Sequence, residues 1–359
     1  MNQPDISKLR LKSQQVEGAR FKTVKALVGW MGAMQAQDYA MAKWAIGARL
    51  PGSTDRSIEE AFNKGKVLRA HLMRPTWHFV SADDFHWLHD LTAPQIIAAM
   101  KSRDDGLGLT TSVIRKSNSI IEGALRGGSC MTREELLPLL IEAGFKNEDN
   151  RIYHLLVRAE LDGIICSGPV RAKKQTFALL SERVPKKKSL DRKASLAELA
   201  KRYFSSHGPA TLQDFVWWSG LSVTDARKAL EQVGPDIIED EAGSQSYWFS
   251  KSISSPAIAE DSCHLLPAYD EFIIGYRDRS PSISTADHKR TISSNGFFRP
   301  VIVLNGQVVG IWKRTTKLDR VIIEPRLFRA PGKKAKGLIE SAAAAYGEFL
   351  GLKPEIIWE

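Results

Sequence analysis

Thr132-Arg133-Glu134-Glu135-Leu136-Leu137-Pro138-Leu139-Leu140-Ile141 opens the stretch from which the fold is read. Thr132 is placed to cap a helix. Glu134 and Glu135 lie at its positive end, and Leu136, Leu137, Leu140 and Ile141 share one face. Gly144 stops it. Asn150 can cap a second helix, with Ile152, Leu155, Leu156 and Ala159 at helical spacing, and Asp162-Gly163 ends that helix. Ile164-Ile165-Cys166 then predicts a strand, residues 168–174 a basic tip, and residues 176–180 the return strand. Helices followed by a two-stranded hairpin are the order of a winged helix-turn-helix unit.

The same order recurs on either side. Downstream, Ser195 precedes a helix bearing Leu196, Leu199, Ala200 and Phe204, and Thr211 starts a short helix with Phe215 and Trp218. Ser222 caps a third helix, and residues 236–239 and 246–249 pair around Ala242-Gly243. This wing is acidic at Glu239, Asp240 and Glu241, a poor surface for phosphate. Upstream, Phe21, Val24, Leu27, Val28 and Met31 mark one helix, residues 39–49 a second and 58–64 a third. Strands at 67–72 and 76–80 turn at Arg74-Pro75. Helices at 82–91, 94–100 and 112–125 buttress this first unit. After Ile258 the pattern changes to strands, His264-Leu265-Leu266 and Phe272-Ile273-Ile274 among them. Val301-Ile302-Val303-Leu304, Asn305-Gly306 and the apolar run to Trp312 predict a hairpin, because Asn-Gly suits a type I′ turn. A strand at 321–323 and a helix at 334–349 close the chain. The expected fold is α+β: three tandem winged helix-turn-helix units and a C-terminal β-rich domain, a partial barrel. The expected segments are residues 1–128, 129–185, 186–255 and 256–359.

Charge points to a polyanion. The 359 residues carry a formal net charge of +10, from 51 Lys and Arg against 41 Asp and Glu. Residues 169–193 concentrate it, with Arg171, Lys173, Lys174, Arg183, Lys186, Lys187, Lys188, Arg192 and Lys193 opposed only by Glu182 and Asp191. Such clustering favours double-stranded DNA over a charge that merely keeps the chain soluble. No run reaches the roughly 18 apolar residues of a membrane span. The beginning, Met1-Asn2-Gln3-Pro4-Asp5, lacks a secretion pattern, so the expected location is cytoplasmic and no membrane partner is expected. Cys130, Cys166 and Cys263 are widely spaced and suggest no disulfide frame. His71 and His78 lack two further soft ligands, so no metal is expected. Neither G-x-S-x-G nor G-x-x-x-x-G-K occurs, and no cofactor is implied. With no heptad or dimer strip, a monomer is expected.

Met34-Gln35-Ala36-Gln37-Asp38 joins the first two upstream helices. On an α-helix the two glutamines would stand about 200° apart. In an extended link they share a side, and Asp38 as the N-cap of the next helix favours the extended form. Two carboxamides facing one small target is one reading; polar helix-end residues satisfying loop backbone is the other. Arg69, His71 and Arg74 on the hairpin are placed to hold phosphate or a distorted strand, as is His78 unless it packs beside Trp77 and Phe79. Asp270 and Glu271 sit beside Tyr269, with Arg277 and Arg279 following. Asp270 either assists water activation or forms a structural ion pair with those arginines. Trp217 and Trp218, beside Phe215, read as core.

Gln35-Ala36-Gln37, the segment from Arg69 to His78, His207-Gly208-Pro209-Ala210-Thr211 and Leu266-Pro267-Ala268-Tyr269-Asp270-Glu271 together resemble a bacterial family of winged-helix DNA glycosylases. The likeness runs from about Leu9 to Trp312. It implies three tandem winged helices forming a DNA-binding face, excision of N-alkylated purines and unhooking of alkylation crosslinks. It also implies that the family's catalytic Gln-apolar-Gln motif falls on Gln35 and Gln37. The chemistry suits amides. An N7-alkylguanine already carries positive charge and leaves without a protonating acid, so what remains is to place a water against the anomeric carbon. A glutamine carbonyl accepts a hydrogen bond from that water, and its NH₂ orients a neighbouring oxygen. The sequence motifs further imply DNA contacts from Arg171, Lys173, Lys174, Arg277 and Arg279. The competing class is a winged-helix regulator that binds DNA without catalysis and would select a preferred sequence.

Overall fold

A computed structural model describes residues 3–185, 190–253 and 261–358. Lys186, Lys187 and Lys188 of the basic run lie outside these residues. The chain divides into two compact units, one formed by Met1–Ile58 with Leu196–Glu359 and the other by Glu59–Ser195. These lines differ from the four segments expected from the sequence, because the chain's beginning and its final third share one unit. The fold is mixed α+β.

In the discontinuous unit, a helix at Gln3–Ser13, not anticipated from the sequence, comes first. Arg10 on it is fully buried: its Nε donates to the Pro209 carbonyl at 2.9 Å, and its guanidinium lies 3.6 Å from the Tyr276 ring centroid. Helix Val24–Met31 follows, capped by Thr23, and helix Tyr39–Gly47 is capped by Asp38. Between these two, Met34–Gln35 is extended. Later helices Arg192–Ser206, Leu212–Ser219 and Val223–Leu230 lead into the hairpin of Ile237–Ala242 and Gln245–Ser250. Thr211 and Asp214 close a capping box that starts the middle one.

The final third builds a five-stranded sheet in the order Lys353–Ile356, Arg320–Leu327, Gln307–Thr316, Val301–Leu304, Cys263–Leu266. Only the first pair is parallel. A register shift between Ile302 and Val303 marks a bulge, which bends and twists the sheet. The expected turn is present: Asn305 has φ 50° and Gly306 φ 82°, the two positive values that a type I′ turn demands. Helix Lys333–Leu350 packs its Tyr346 and Phe349 rings on Trp44 at 4.9 and 5.1 Å, and Tyr346 also meets Trp312. One expected strand is absent. Phe272-Ile273-Ile274 belongs to a short helix, Glu271–Ile274, because Asp270 caps it by accepting from the Phe272 N–H at 2.9 Å.

The unit of residues 59–195 holds the hairpin of Val67–His71 and Trp77–Ser81, with Arg69 opposite Phe79 and His71 opposite Trp77. Helix Phe85–Gly106 runs through Pro94, where two separate helices were expected. Its buried Ala93 and Ile96 pack with Val157 and Leu161, and that apolar contact outweighs the one backbone hydrogen bond proline removes. The stretch from Thr132 onward is as expected in outline. Thr132 and Glu135 form a reciprocal capping box for helix Arg133–Glu142. Helix Arg151–Leu161 follows, then strands Ile165–Ser167 and Thr176–Leu179. Asn150 is not a side-chain cap; it adopts a left-handed conformation with φ 60°.

Candidate active site

The link between the two early helices leaves the helical path, as its residues require. Asp38 is extended and its carboxylate accepts from the Met41 N–H at 3.1 Å, so the second helix begins only at Tyr39. Upstream of it the two glutamines are treated differently. Gln35 is 6% exposed and Gln37 is exposed. The Gln35 carboxamide oxygen accepts from the Gln37 backbone N–H at 3.0 Å, and the Gln35 N–H donates to Glu271 Oε1 at 2.6 Å. Extended backbone therefore does not display both amides equally. One is folded onto the link, where its oxygen keeps a second lone pair, and the other stands out.

Beneath the link lies a polar network that no sequence spacing announces. Glu271 is 1% exposed. Its Oε2 accepts from the Trp218 indole N–H at 3.1 Å and lies 3.3 Å from His207 Nε2. His207 Nδ1 is 2.8 Å from the Ser206 hydroxyl. Burial holds the His207 imidazole below its ordinary pKa, although hydrogen bonding to Glu271 pulls it upward. Gly275 is required beside this ring: a Cβ there would meet His207 Cδ2 at 2.9 Å and the Glu271 carbonyl oxygen at 2.5 Å.

Asp270 is 2% exposed and sits against Arg49, not against Arg277 or Arg279. Its Oδ1 and Oδ2 accept from the Arg49 guanidinium at 2.7 and 2.8 Å, a two-pronged pair with both side chains fully buried. Arg49 also donates to Gln14 Oε1 at 2.7 Å; Gln14 in turn donates to the Tyr276 hydroxyl at 3.0 Å, which donates to the His207 carbonyl at 2.6 Å. The residue before the pair, Tyr269, is left-handed at φ 58°, a conformation that side chains rarely hold without compensation. Its phenol is pushed up in pKa by burial and by the negative charge of Asp38. Sequence reasoning misses Gln14, Arg49, His207 and Trp218 as site residues. The His207-Gly208-Pro209 motif is the one available signal.

The basic candidates separate into two groups. Arg171, Lys173 and Lys174 are exposed. They lie at the tip of the hairpin between strands Ile165–Ser167 and Thr176–Leu179, where Ala172 at φ 48° and Lys173 at φ 65° make the same turn type as Asn305-Gly306 without a glycine. Arg171 pairs with Glu135, and Lys174 lies 3.7 Å from Glu134. By contrast Arg69, His71 and His78 are buried, at 9%, 4% and 0% exposed. Every residue of strand Val67–His71 is buried, so the expected alternation of inner and outer sides does not reach solvent there. Arg74 is half-buried. Arg277 is exposed and donates to Gln213 Oε1, whereas Arg279 donates to the Ile273 carbonyl and lies over Trp217 and Phe298. Trp218 is core, as read. Trp217 is 39% exposed, with its indole donating to the Ile274 carbonyl. Among the described residues no helix is long and apolar enough to cross a membrane.

The class to which the chain is matched is the DNA glycosylases, hydrolases of N-glycosyl bonds. A family-wide sequence model described as "DNA glycosylase AlkZ-like" matches residues 28–349, and the chain belongs to that family. An interstrand DNA cross-link repair glycosylase of Streptomyces sahachiroi is 23% identical over 352 residues, spanning 94% of this chain and 95% of that protein. The solved structure of the Streptomyces sahachiroi DNA glycosylase AlkZ superposes with a TM-score of 0.81 at 20% identity, over 99% of this chain and 100% of that one. At that identity the superposition speaks for the fold.

Proposed function

We propose that the protein hydrolyses the N-glycosidic bond of N-alkylated purines in double-stranded DNA, crosslinked ones included, with Gln35 and Gln37 as the catalytic pair. The observation that carries this reading is the non-helical link, in which Gln37 is exposed while Gln35 is anchored to Glu271 and holds the Gln37 backbone. Gln37 accepts a hydrogen bond from the attacking water. Gln35 fixes the link and uses its remaining lone pair to orient that water. The cationic base leaves unaided, so no strong general base is demanded. Asp270, clamped by Arg49, serves as a positioning residue that holds the corner carrying Glu271. The likeness to a cross-link repair glycosylase supports the substrate class.

DNA is held, in this proposal, by three winged-helix units in residues 1–128, 129–185 and 186–255, which the β-rich segment 256–359 follows in the chain, and the protein acts as a cytoplasmic monomer. Arg171, Lys173, Lys174 and Arg277 are the phosphate contacts, their exposure being the support. Arg74 is proposed as a further contact at its turn, and Arg279, His71, His78 and Arg69 shape the surface from within.

Purified protein incubated with a duplex carrying one N7-methylguanine tests the reading, abasic sites being scored after alkaline cleavage. Release above the spontaneous rate, abolished by replacing both glutamines with alanine, is the expected result. Release that survives the double replacement moves the active site elsewhere, and no release at all removes that lesion from the substrate class.

A further inference from the structure

Within the unit of residues 59–195, a cavity of about 330 Å³ lies beside the Val67–His71 strand, helix Arg151–Leu161 and strand Thr176–Leu179. That volume is at the lower end for small-molecule sites and suits one heterocycle with a short tail. Trp77, Tyr153 and Phe177 line it with aromatic surface.

Glu160 lines the cavity as well and is 3% exposed. Its Oε2 lies 2.6 Å from His71 Nδ1. The His71 ring lies against Trp77, tilted with centroids 4.0 Å apart, and is 3.4 Å from the Tyr153 hydroxyl, so the carboxylate is held in one orientation. The other oxygen, Oε1, is buried and has no hydrogen-bond partner among the described residues. A buried carboxylate oxygen without a donor costs free energy that an arriving N–H would recover.

Two cations complete the lining. The Arg69 guanidinium lies 4.4 Å from the Trp77 ring centroid, and that of Arg133 lies 5.6 Å from the Tyr153 centroid. Aromatic faces accept a planar base, a carboxylate oxygen accepts an exocyclic amino group, and guanidinium forks accept phosphate. We propose that this cavity binds one amino-bearing nucleotide. Its base sits among the three aromatic rings, its amino group donates to Glu160 Oε1, and its phosphate meets Arg69 and Arg133. Adenine, cytosine and guanine carry that amino group; thymine does not. The lining does not include Gln35 or Gln37, and the proposal does not depend on their role.

Calorimetric titration of the full-length protein with dAMP, dCMP, dGMP and dTMP, and with inorganic phosphate alone, tests this. The amino-bearing nucleotides are expected to bind at least about tenfold more tightly than dTMP or phosphate, a factor that the absence of one hydrogen bond to a charged group readily produces. Glu160→Gln abolishes the preference over dTMP. Arg133→Gln, at a half-buried position outside the Glu160–His71 hydrogen bond, weakens all four nucleotides and carries the test if Glu160→Gln fails to fold. Short single-stranded d(A) and d(T) oligomers separate the sources. A preference for d(A) that disappears in the variants, without mononucleotide binding, assigns the occupant to an unpaired strand; mononucleotide binding assigns a free nucleotide. Equal binding of adenine and thymine forms, binding unchanged in a folded Glu160→Gln or in Arg133→Gln, or no binding of any probe at millimolar concentration overturns the proposal.

Discussion

Glu271 and Glu160 are buried to nearly the same degree, 1% and 3% exposed, yet their surroundings differ in kind. Both oxygens of Glu271 are answered by protein groups: the Gln35 backbone N–H on one side, the Trp218 indole and the His207 imidazole on the other. Glu160 is answered on one side by His71, and its other oxygen has no hydrogen-bond partner among the described residues. The first arrangement fixes backbone, because both of its oxygens hold protein groups, one of them the link's own Gln35 N–H. The second has capacity in reserve, the mark of a group that completes itself with something that arrives. Burial alone does not tell a positioning carboxylate from a binding one; the account of its lone pairs does.

The sharpest way to break that contrast is to remove each carboxylate. Glu271→Ala leaves the buried Gln35 N–H, Trp218 indole and His207 imidazole without their acceptor and is expected to cost about 3–5 kcal/mol in urea unfolding. Glu160→Ala deprives His71 of its partner but also removes an unanswered oxygen, so about 1–2 kcal/mol is expected. Equal losses would show that the two sites are not different in kind.

Next in size is Gln37→Ala. Single-turnover release of N7-methylguanine is expected to fall about 100-fold, the order expected when the attacking water is no longer held in place. The melting temperature should hardly move, because Gln37 is exposed. A full rate in this variant would detach the Glu271-anchored link from the chemistry.

A smaller effect concerns the wing. Replacing Arg171, Lys173 and Lys174 with glutamine should weaken binding of all duplexes alike. The salt dependence should flatten by about 0.9 logarithmic units for each phosphate that is no longer neutralised. A sequence-selective weakening would instead favour readout of bases by the tip.

The smallest is a pH slope. His207 is held below its ordinary pKa by burial, so the folded state binds fewer protons than the unfolded one. Its stabilising contribution is therefore complete above the unfolded value of about 6.5 and is lost as pH falls through the lower folded value. His154 in the other unit is lowered by burial in the same sense, with Asp104 opposing. Thermal melts from pH 8 to pH 5 should slope downward in the wild type and less so in His207→Asn. An unchanged slope would mean that the histidine beside Glu271 does not titrate with unfolding.

Much of the local structure is legible in the chain. The Thr132–Glu135 box and the Asn305-Gly306 turn follow from the sequence because each is made by residues within a few positions of one another. The link at residues 34–38 reads as non-helical for the same reason, since Asp38 caps from three residues before Met41. Errors arise where a distant partner or a competing cap decides. Phe272-Ile273-Ile274 has a strand's composition, but the Asp270 cap makes it helical. The sequence sets Asp270 against the nearby Arg277 and Arg279, and its partner is Arg49, 221 residues away. His71 and His78, polar residues on a wing-like hairpin, are covered by packing that their own segment does not reveal.

The sequence by itself determined where helices start and stop, which turns are tight, where positive charge gathers, and that two carboxamides stand in a break between helices. Those features depend on interactions within one turn of helix or one hairpin, whose energies are set by neighbouring residues. Tertiary structure alone decided which of the two glutamines faces outward, which arginine neutralises Asp270, and which buried glutamate keeps an oxygen unmatched. Each of these is a competition among donors brought together from distant parts of the chain, and low-dielectric burial makes its outcome depend on ångström-scale placement that no local pattern records.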